Sequence, residues 1–368
     1  MGEVEYDAII VGGSFAGLAV ASQLRGNILL IDNKEIGARQ TSTCGTVLSV
    51  PEKLNCLDSV LQVYNTGFIH TSSKTVEYDL PYPFCAFDYQ KFYQTLVKRV
   101  EVKTIKANVR GLMDGCVMTD EGSFRGICII DASGWKAVLA SSLESDFVHR
   151  SKMSSGIETT VNYQGEGLHF WVDPQLIKQG IGWLSPCGSQ SRIGVGSYVG
   201  DTNLWPKLAS FLSGFRLQLA EVHGGFFPWR MRSPTVGRLF LVGDAAGQCE
   251  PLTGFGIRPA IYFGLRCAAI VQRVIDREIS LEEGLQHYNE LVRSYHGYYT
   301  LLEGLQKGLL SLPNSWLTQL LVLLSHRPVC HFLLRRHQRH APLEEVMRPD
   351  VVSANSMEVL GKKYTDWR

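Results

Sequence analysis

From Glu5 to Asp32 the hydrophobic pattern changes period several times. Tyr6 to Val11 is a short, uninterrupted apolar run, the pattern of a strand buried on both faces. Gly12-Gly13-Ser14-Phe15-Ala16-Gly17 follows, and Ala16 to Leu24 carries small and apolar residues at helical spacing. Asn27 to Ile31 returns to strand and ends at Asp32. A second anchor lies downstream: a strand at Leu239 to Val242, a turn at Gly243-Asp244-Ala245-Ala246, and a long helix starting near Gly256. Between them the pattern predicts strands over Thr66–His70 and Thr75–Leu80 and a helix over Tyr89–Val100. A β-meander is expected over Glu101–Val109, Cys116–Asp120 and Phe124–Ile130, with turns at Asp114-Gly115 and Glu121-Gly122. From Val148 to Arg232 short strands with glycine turns predict an antiparallel sheet, including Arg192–Val199. After residue 275 the pattern is helical to about 340.

The first block has the layout of a dinucleotide fingerprint, with a carboxylate 20 residues after the first glycine. Gly12 allows a sharp turn out of the strand, and Gly17 lets the helix pack close to the sheet. The helix start offers free N–H groups to a pyrophosphate, and Asp32 can accept from a ribose. Ser14 stands where the motif has its middle glycine; it is small and can donate to a diphosphate. In the second block, Asp244 at a strand end can accept from polyol hydroxyls. Gly254, Phe255 and Gly256 lead into a helix whose first N–H groups can face an electron-rich ring carbonyl. A nicotinamide dinucleotide needs neither element; a flavin dinucleotide uses both.

Composition narrows the picture. A chain of 368 residues, 45% apolar, can bury one large core or two smaller ones, and a net charge of +1 makes no electrostatic case for nucleic acid. No apolar run approaches the roughly 20 residues that span a bilayer. The first strand begins almost at the first residue, which leaves no room for a secretory signal, and nine cysteines without a C-x-x-C pair argue against zinc or iron–sulfur. Reduced thiols in a cytoplasmic compartment are expected. Residues 314–340 join an apolar stretch, Trp316–Leu324, to a basic one. Arg335, Arg336 and Arg339 could meet anionic headgroups, so peripheral contact with the inner face of a membrane is an expectation.

The segments VGGSFAGL and LVGDAAGQCEPLTGFGI resemble the FAD-dependent oxidoreductases of the p-hydroxybenzoate-hydroxylase-like fold, and within them the geranylgeranyl reductase family. Glu35-Ile36-Gly37 through Thr43-Cys44-Gly45 is similar to the family's IG…CG stretch, where a cysteine lies beside the flavin. Asp131-Ala132-Ser133-Gly134 is similar to its DA[SD]G segment. Gly180-Ile181-Gly182-Trp183-Leu184-Ser185-Pro186 is similar to its GYxWxFP stretch, which lines the substrate cavity. The resemblance runs from residue 5 to about 275. Tyr89 stands where the family has an arginine near the cofactor, and Ile181 and Ser185 replace a tyrosine and a phenylalanine.

The resemblance implies an α/β fold: a Rossmann-type FAD-binding domain, an interleaved antiparallel-sheet substrate domain and a helical C-terminal region. The expected boundaries are 1–145 with 233–275 for the FAD domain, 146–232 for the cap, and 276–368 for the helices. Expected FAD contacts are Gly12, Gly13, Ser14, Phe15, Ala16, Gly17 and Asp32, then Gly45, Val109, Ala132 and Gly134, then Gly243, Asp244, Pro251, Gly254, Gly256 and Ile257. Trp183 and Pro186 are expected to wall the substrate cavity, and Cys44 and Trp183 to be catalytic. Cys44 sits in a polar loop with Gly37, Thr41, Thr43 and Gly45, where its thiol is expected to face the active site and donate a proton or form a transient adduct, the alternative being a small buried thiol that fills space. His70, His149, His169 and His223 are isolated in sequence and are expected to be structural or surface residues.

The implied activity is reduction of carbon–carbon double bonds in a prenyl or related apolar lipid. Alternatives are hydroxylation by an FAD monooxygenase of the same fold and a non-catalytic flavoprotein. Halogenases of the fold carry W-x-W-x-I-P, which Ile181 and Ser185 do not match. With one nucleotide fingerprint only, the external reductant would be an electron-donor protein such as ferredoxin, or NADPH docking without its own domain.

Overall fold

A computed structural model describes residues 5–343, apart from 41 and 99. Thr41 and the last part of the expected 276–368 region lie outside the described residues. The described residues form two sheets of eight strands each. In the first, five strands run parallel in the order Leu239–Leu241, Ser123–Asp131, Glu5–Val11, Ile28–Asp32, Lys103–Lys106. The three inner strands are buried over Ala8–Val11, Ile28–Ile31 and Cys128–Asp131, which explains the apolar runs there. The helix Phe15–Ala21 is buried at all seven positions and packs against the long helix Ile257–Ile275. At Gly264 a Cβ would lie 2.7 Å from the Ala16 carbonyl oxygen, so glycine permits that approach.

The predicted meander divides differently. Lys103–Lys106 joins the parallel sheet beside Ile28–Asp32, and Ala107 donates to the Asp32 carbonyl at 2.8 Å. Val109–Met113, Cys116–Thr119 and Ser123–Asp131 then form the antiparallel turn-back. The break falls where the Asp120 carboxylate takes both the backbone and side-chain N–H groups of Asn108.

The second sheet has the order Val222–Pro228, Met153–Val161, Gln190–Ser197, Gly180–Cys187, Leu168–Trp171, Val60–His70, Thr75–Phe87, Gly45–Val47. Its far half therefore comes from residues 45–87, which the expected boundaries had assigned to the first domain. The join is the parallel pairing of Leu168–Trp171 with Val60–His70, a contact that no local pattern announces. A helix at Trp205–Gly214, unpredicted from the pattern, covers the outer face through Leu208, Phe211 and Leu212.

The C-terminal region is helical: Leu281–Arg293, His296–Ser311, Asn314–Ser325 and Arg327–Gln338. Ser280 and Glu283 form a reciprocal capping box that starts the first of these. No single helix among the described residues is long and apolar enough to cross a membrane; Asn314–Ser325 and Arg327–Gln338 pass that test only as a pair, bent by 86°.

Candidate functional site

A cleft of about 330 Å³ opens between the two sheets. Its first wall gathers at the C-terminal ends of three neighbouring parallel strands, where helices of an α/β fold leave room for a ligand. Ser14, Phe15 and Ala16 line it from the first turn, Ala132 and Gly134 from the second, and Gly243 and Asp244 from the third. Gly12, Gly13 and Gly17 lie behind these residues. Gly12 has φ of +106°, and a Cβ there would be 2.2 Å from the Ala132 carbonyl oxygen. A Cβ on Gly17 would be 1.8 Å from the carbonyl oxygen of Gly12. Asp32 braces the turn by accepting from Gly13 N–H at 2.6 Å and Lys34 N–H at 3.0 Å. Each of its oxygens keeps a lone pair for a further donor.

Ser14 Oγ lies 2.8 Å from the hydroxyl of Tyr93. Burial holds the Tyr93 phenol well above its ordinary pKa, so it stays protonated beside Ser14. Tyr89, at the family's arginine position, is buried and packs on Tyr93 and Phe15 with ring centroids 4.4 and 6.3 Å away. An aromatic cluster thus occupies the place of a cation.

Asp244 is enclosed at the first wall, and burial pushes its carboxyl up to about 6, with Arg232 pulling the other way. No side-chain hydrogen bond reaches that carboxylate from the described residues, and Asp244 lines the cleft. Gly254, Gly256 and Ile257 complete this wall at the start of the 19-residue helix. Pro251 is buried beneath that loop and Val109 begins a hairpin strand; neither lines the cleft. A Cβ at Gly45 or Gly134 would meet nothing within 4 Å. These two glycines border open space on the cleft, wide enough at those points to admit a ligand close to the backbone.

The second wall is the concave face of the other sheet, where Phe170, Ile181, Trp183 and Phe226 line the cleft. Trp183 lies flat over three glycines. A Cβ on Gly194 would be 2.2 Å from its Cζ2, and Cβ atoms on Gly156 and Gly196 would each come within 3.3 Å of the indole. The indole Nε1 donates to Glu158 Oε2 at 2.8 Å, and His223 Nε2 pairs with Glu158 Oε1 at 2.9 Å. Gln40 Nε2 adds a longer contact of 3.4 Å. Glu158 is 2% exposed, yet it and His223 both line the cleft. Sequence reading left His223 as an isolated residue and passed over Glu158. The available signal was a lone carboxylate within the strand pattern GIETTV.

Two expectations about this wall are corrected. Pro186 does not line the cleft: it is buried, and its carbonyl accepts from the Tyr64 hydroxyl. Cys44 is fully buried, and its neighbours Ser42, Thr43 and Gly45 line the cleft in its place. Its backbone is left-handed at φ +54°, and its thiol contacts the Ser42 carbonyl at 3.1 Å. Burial pushes the Cys44 thiol far up, against an opposing pull from Arg192. Arg192, 5% exposed, clamps the loop by donating to the carbonyls of Thr43 and Phe87 at 2.9 and 3.0 Å. The loop is polar in composition, but this clamp turns the thiol inward. Cys249 does line the cleft, with its thiol also raised well above the ordinary value by burial. Cys187 does not line it. His70 and His169 pair with each other at 3.0 Å on a ring stack with Trp171 and Phe68. Among the described residues no three His, Cys, Asp or Glu side chains group so as to hold a metal ion.

No family model matches the chain. Digeranylgeranylglycerophospholipid reductase of Thermoplasma acidophilum is 25% identical over 188 residues, 45% of this chain and 48% of that protein. The protein of the same name from Methanococcus vannielii is 28% identical over 131 residues, 33% of this chain and 34% of that one. The match therefore spans about half the length of the first relative and about a third of the second. Among solved structures, a geranylgeranyl bacteriochlorophyll reductase-like protein from Thermoplasma acidophilum superposes with a TM-score of 0.77 at 19% identity, over 99% of this chain and 98% of that one. PqsL, a probable FAD-dependent monooxygenase from Pseudomonas aeruginosa, superposes at 0.59 with 16% identity, over 82% and 97%. At these identities the likeness establishes the fold, that of FAD-dependent oxidoreductases and monooxygenases. Over part of its length the chain is similar in sequence to digeranylgeranylglycerophospholipid reductases, and in fold it is similar to a geranylgeranyl bacteriochlorophyll reductase-like protein.

Proposed function

We propose that the protein is an FAD-dependent oxidoreductase that saturates carbon–carbon double bonds of a prenyl or related apolar lipid. The observation that carries this reading is the pairing of the two walls across one cleft. One is a backbone cradle ending in the unpartnered Asp244 carboxylate; the other is an aromatic sheet face. The Gly12–Gly17 turn and Asp32 would hold the adenosine diphosphate half of FAD. Gly45, Gly134 and the start of the helix Ile257–Ile275 would admit its ring, and Asp244 its ribityl hydroxyls. Reduced FAD supplies hydride to such a site.

The chain's own residues do the rest. An isolated alkene is a poor hydride acceptor, so the site must stabilise developing positive charge and exclude water. The faces of Trp183 and Phe170 offer negative π density to such a charge. Phe226 and Phe227 add apolar surface to the cleft lining. The apolar lipid would reach the site from a membrane surface. Trp316, Leu323 and Phe332 are 66%, 58% and 65% exposed on the two helices that meet at the bend, and a recess bordered by Phe332, Arg335, Arg336 and Arg339 lies on the second. Such a surface suits an anionic cytoplasmic leaflet. Electrons would come from a donor protein or a docked nicotinamide.

The test is anaerobic. FAD-loaded protein reduced chemically is mixed with prenyl lipids, and products are read by mass. A gain of two hydrogens per double bond is expected. Product formed only with O₂, and carrying a hydroxyl, would replace reduction with hydroxylation.

A further inference from the structure

The second wall contains a constellation that packing alone does not account for. Trp183, Gly194, Glu158 and His223 occupy one row across four adjacent strands: Trp183 pairs with Gly194, Gly194 with Glu158, and Glu158 with His223. Side chains in such a row point to the same face and stand close enough to bond. Glycine at position 194 removes the side chain that would keep the indole from Glu158. Glu158 is thereby held between an indole N–H and an imidazole, on a wall that also carries Phe170 and Phe226.

We propose that His223, oriented by Glu158, is the proton donor to the substrate in this cleft. The proposal rests on the reading of the cleft as a site of alkene reduction. With Nε2 tied to the Glu158 carboxylate, the neutral ring carries its hydrogen there. Nδ1, which has no bond to any described residue, is then the nitrogen that takes up and delivers a proton. The carboxylate balances the charge of the protonated ring. His223 stands on the edge strand Val222–Pro228, its side chain 23% exposed, so it can be reprotonated from solvent.

Other groups in or near the cleft are worse placed. The Cys44 thiol is sealed in the core, and the Cys249 thiol is held protonated by burial. Asp244 stands on the wall assigned to FAD. In the reaction the π electron pair forms a C–H bond with the His223 proton as the Nδ1–H bond breaks. In concert, hydride from reduced flavin closes the neighbouring carbon. The alkene gains two electrons, the flavin loses two, and His223 is left neutral.

The experiment uses FAD-loaded protein, reduced with dithionite under anaerobic conditions, and a geranylgeranyl lipid. Flavin reoxidation by the lipid is followed in single turnover for wild type, His223→Gln, His223→Ala and Glu158→Gln. In His223→Gln, reoxidation is expected to slow by about a hundredfold or more. FAD content and reduction by dithionite should stay as in wild type. Added imidazole should restore part of the rate to His223→Ala. In cofactor-free protein, ¹⁵N spectra of the ring should show hydrogen on Nε2, and Glu158→Gln should shift that tautomer balance. Reoxidation in His223→Gln within about threefold of wild type, or a ring protonated on Nδ1 alone, overturns the role of His223 while alkene reduction stands. Wild-type flavin that no prenyl lipid reoxidises overturns both. Should His223→Gln fail to fold, imidazole rescue in His223→Ala and the wild-type tautomer still decide the matter.

Discussion

The two walls of the cleft are built by opposite means. The first is mostly main chain: glycine turns at three strand ends, a helix start and one carboxylate, each set by a short contiguous motif. The second is mostly side chain: an aromatic face and a Trp183–Glu158–His223 network whose members come from three separate strands. The comparison teaches that a cofactor cradle can be local in sequence, because a dinucleotide is gripped by backbone N–H groups and close approach. A substrate wall depends on which strands are neighbours. The first wall should therefore fail by steric clash and the second by loss of hydrogen-bonding partners.

The largest effect is expected at Gly17. Valine there would drive a Cβ into the Gly12 carbonyl, 1.8 Å away, and neither backbone can retreat without opening the strand–helix turn. Gly17→Val should cost about 3 kcal/mol or more and yield protein without bound FAD, seen in thermal unfolding and visible absorbance. Yellow protein of wild-type stability would show that the first wall is not held by close backbone contact.

Next is the second wall. Trp183→Phe keeps the ring but removes the N–H that reaches the buried Glu158 carboxylate, at an expected cost of roughly 1.5–3 kcal/mol in denaturant unfolding. Gly194→Ala should also lower stability, since a Cβ would strike the indole. If both variants unfold at the wild-type midpoint, the network is not a structural unit.

Asp244 belongs to the first wall yet acts as a side chain, so it sharpens the contrast. Asp244→Ala should weaken FAD binding roughly ten- to hundredfold, as for a lost hydrogen bond to a charged group. An unchanged dissociation constant would leave Asp244 a plain turn residue. Its titration adds a second measurement. In the unfolded chain this carboxyl ionises near pH 4, whereas the cofactor-free fold holds it protonated up to about 6. The unfolded state thus releases its proton first, and this group's contribution to stability declines across that window. The decline is at most about 3 kcal/mol and is complete above the window. Asp244→Asn should flatten that slope.

The smallest effect is expected at Cys44. Serine fits the same left-handed position and can also donate to the Ser42 carbonyl. Cys44→Ser should lose about 1 kcal/mol with turnover per folded molecule unchanged. A large fall in turnover with stability intact would return the thiol to the chemistry.

What could be read along the chain was whatever a few consecutive residues decide. The Gly12–Gly17 turn, its flanking strands, the Gly243–Ala246 turn and the helix after Gly256 all appear where their patterns place them, because each is fixed by local sterics and burial period. The C-terminal helices were legible for the same reason. What the residues could not disclose was neighbourhood. Nothing local tells that Gly45–Phe87 crosses into the second sheet, that Arg192 reaches back 149 residues to turn the Cys44 loop inward, or that Glu158 and His223 face each other. Cys44 looked exposed because its loop is polar, and His223 looked isolated because its partner lies 65 residues away. The Arg192 clamp decides the first and strand register the second, and register is settled by the packing of the whole sheet, where a shift of one residue would send Glu158 to the other face.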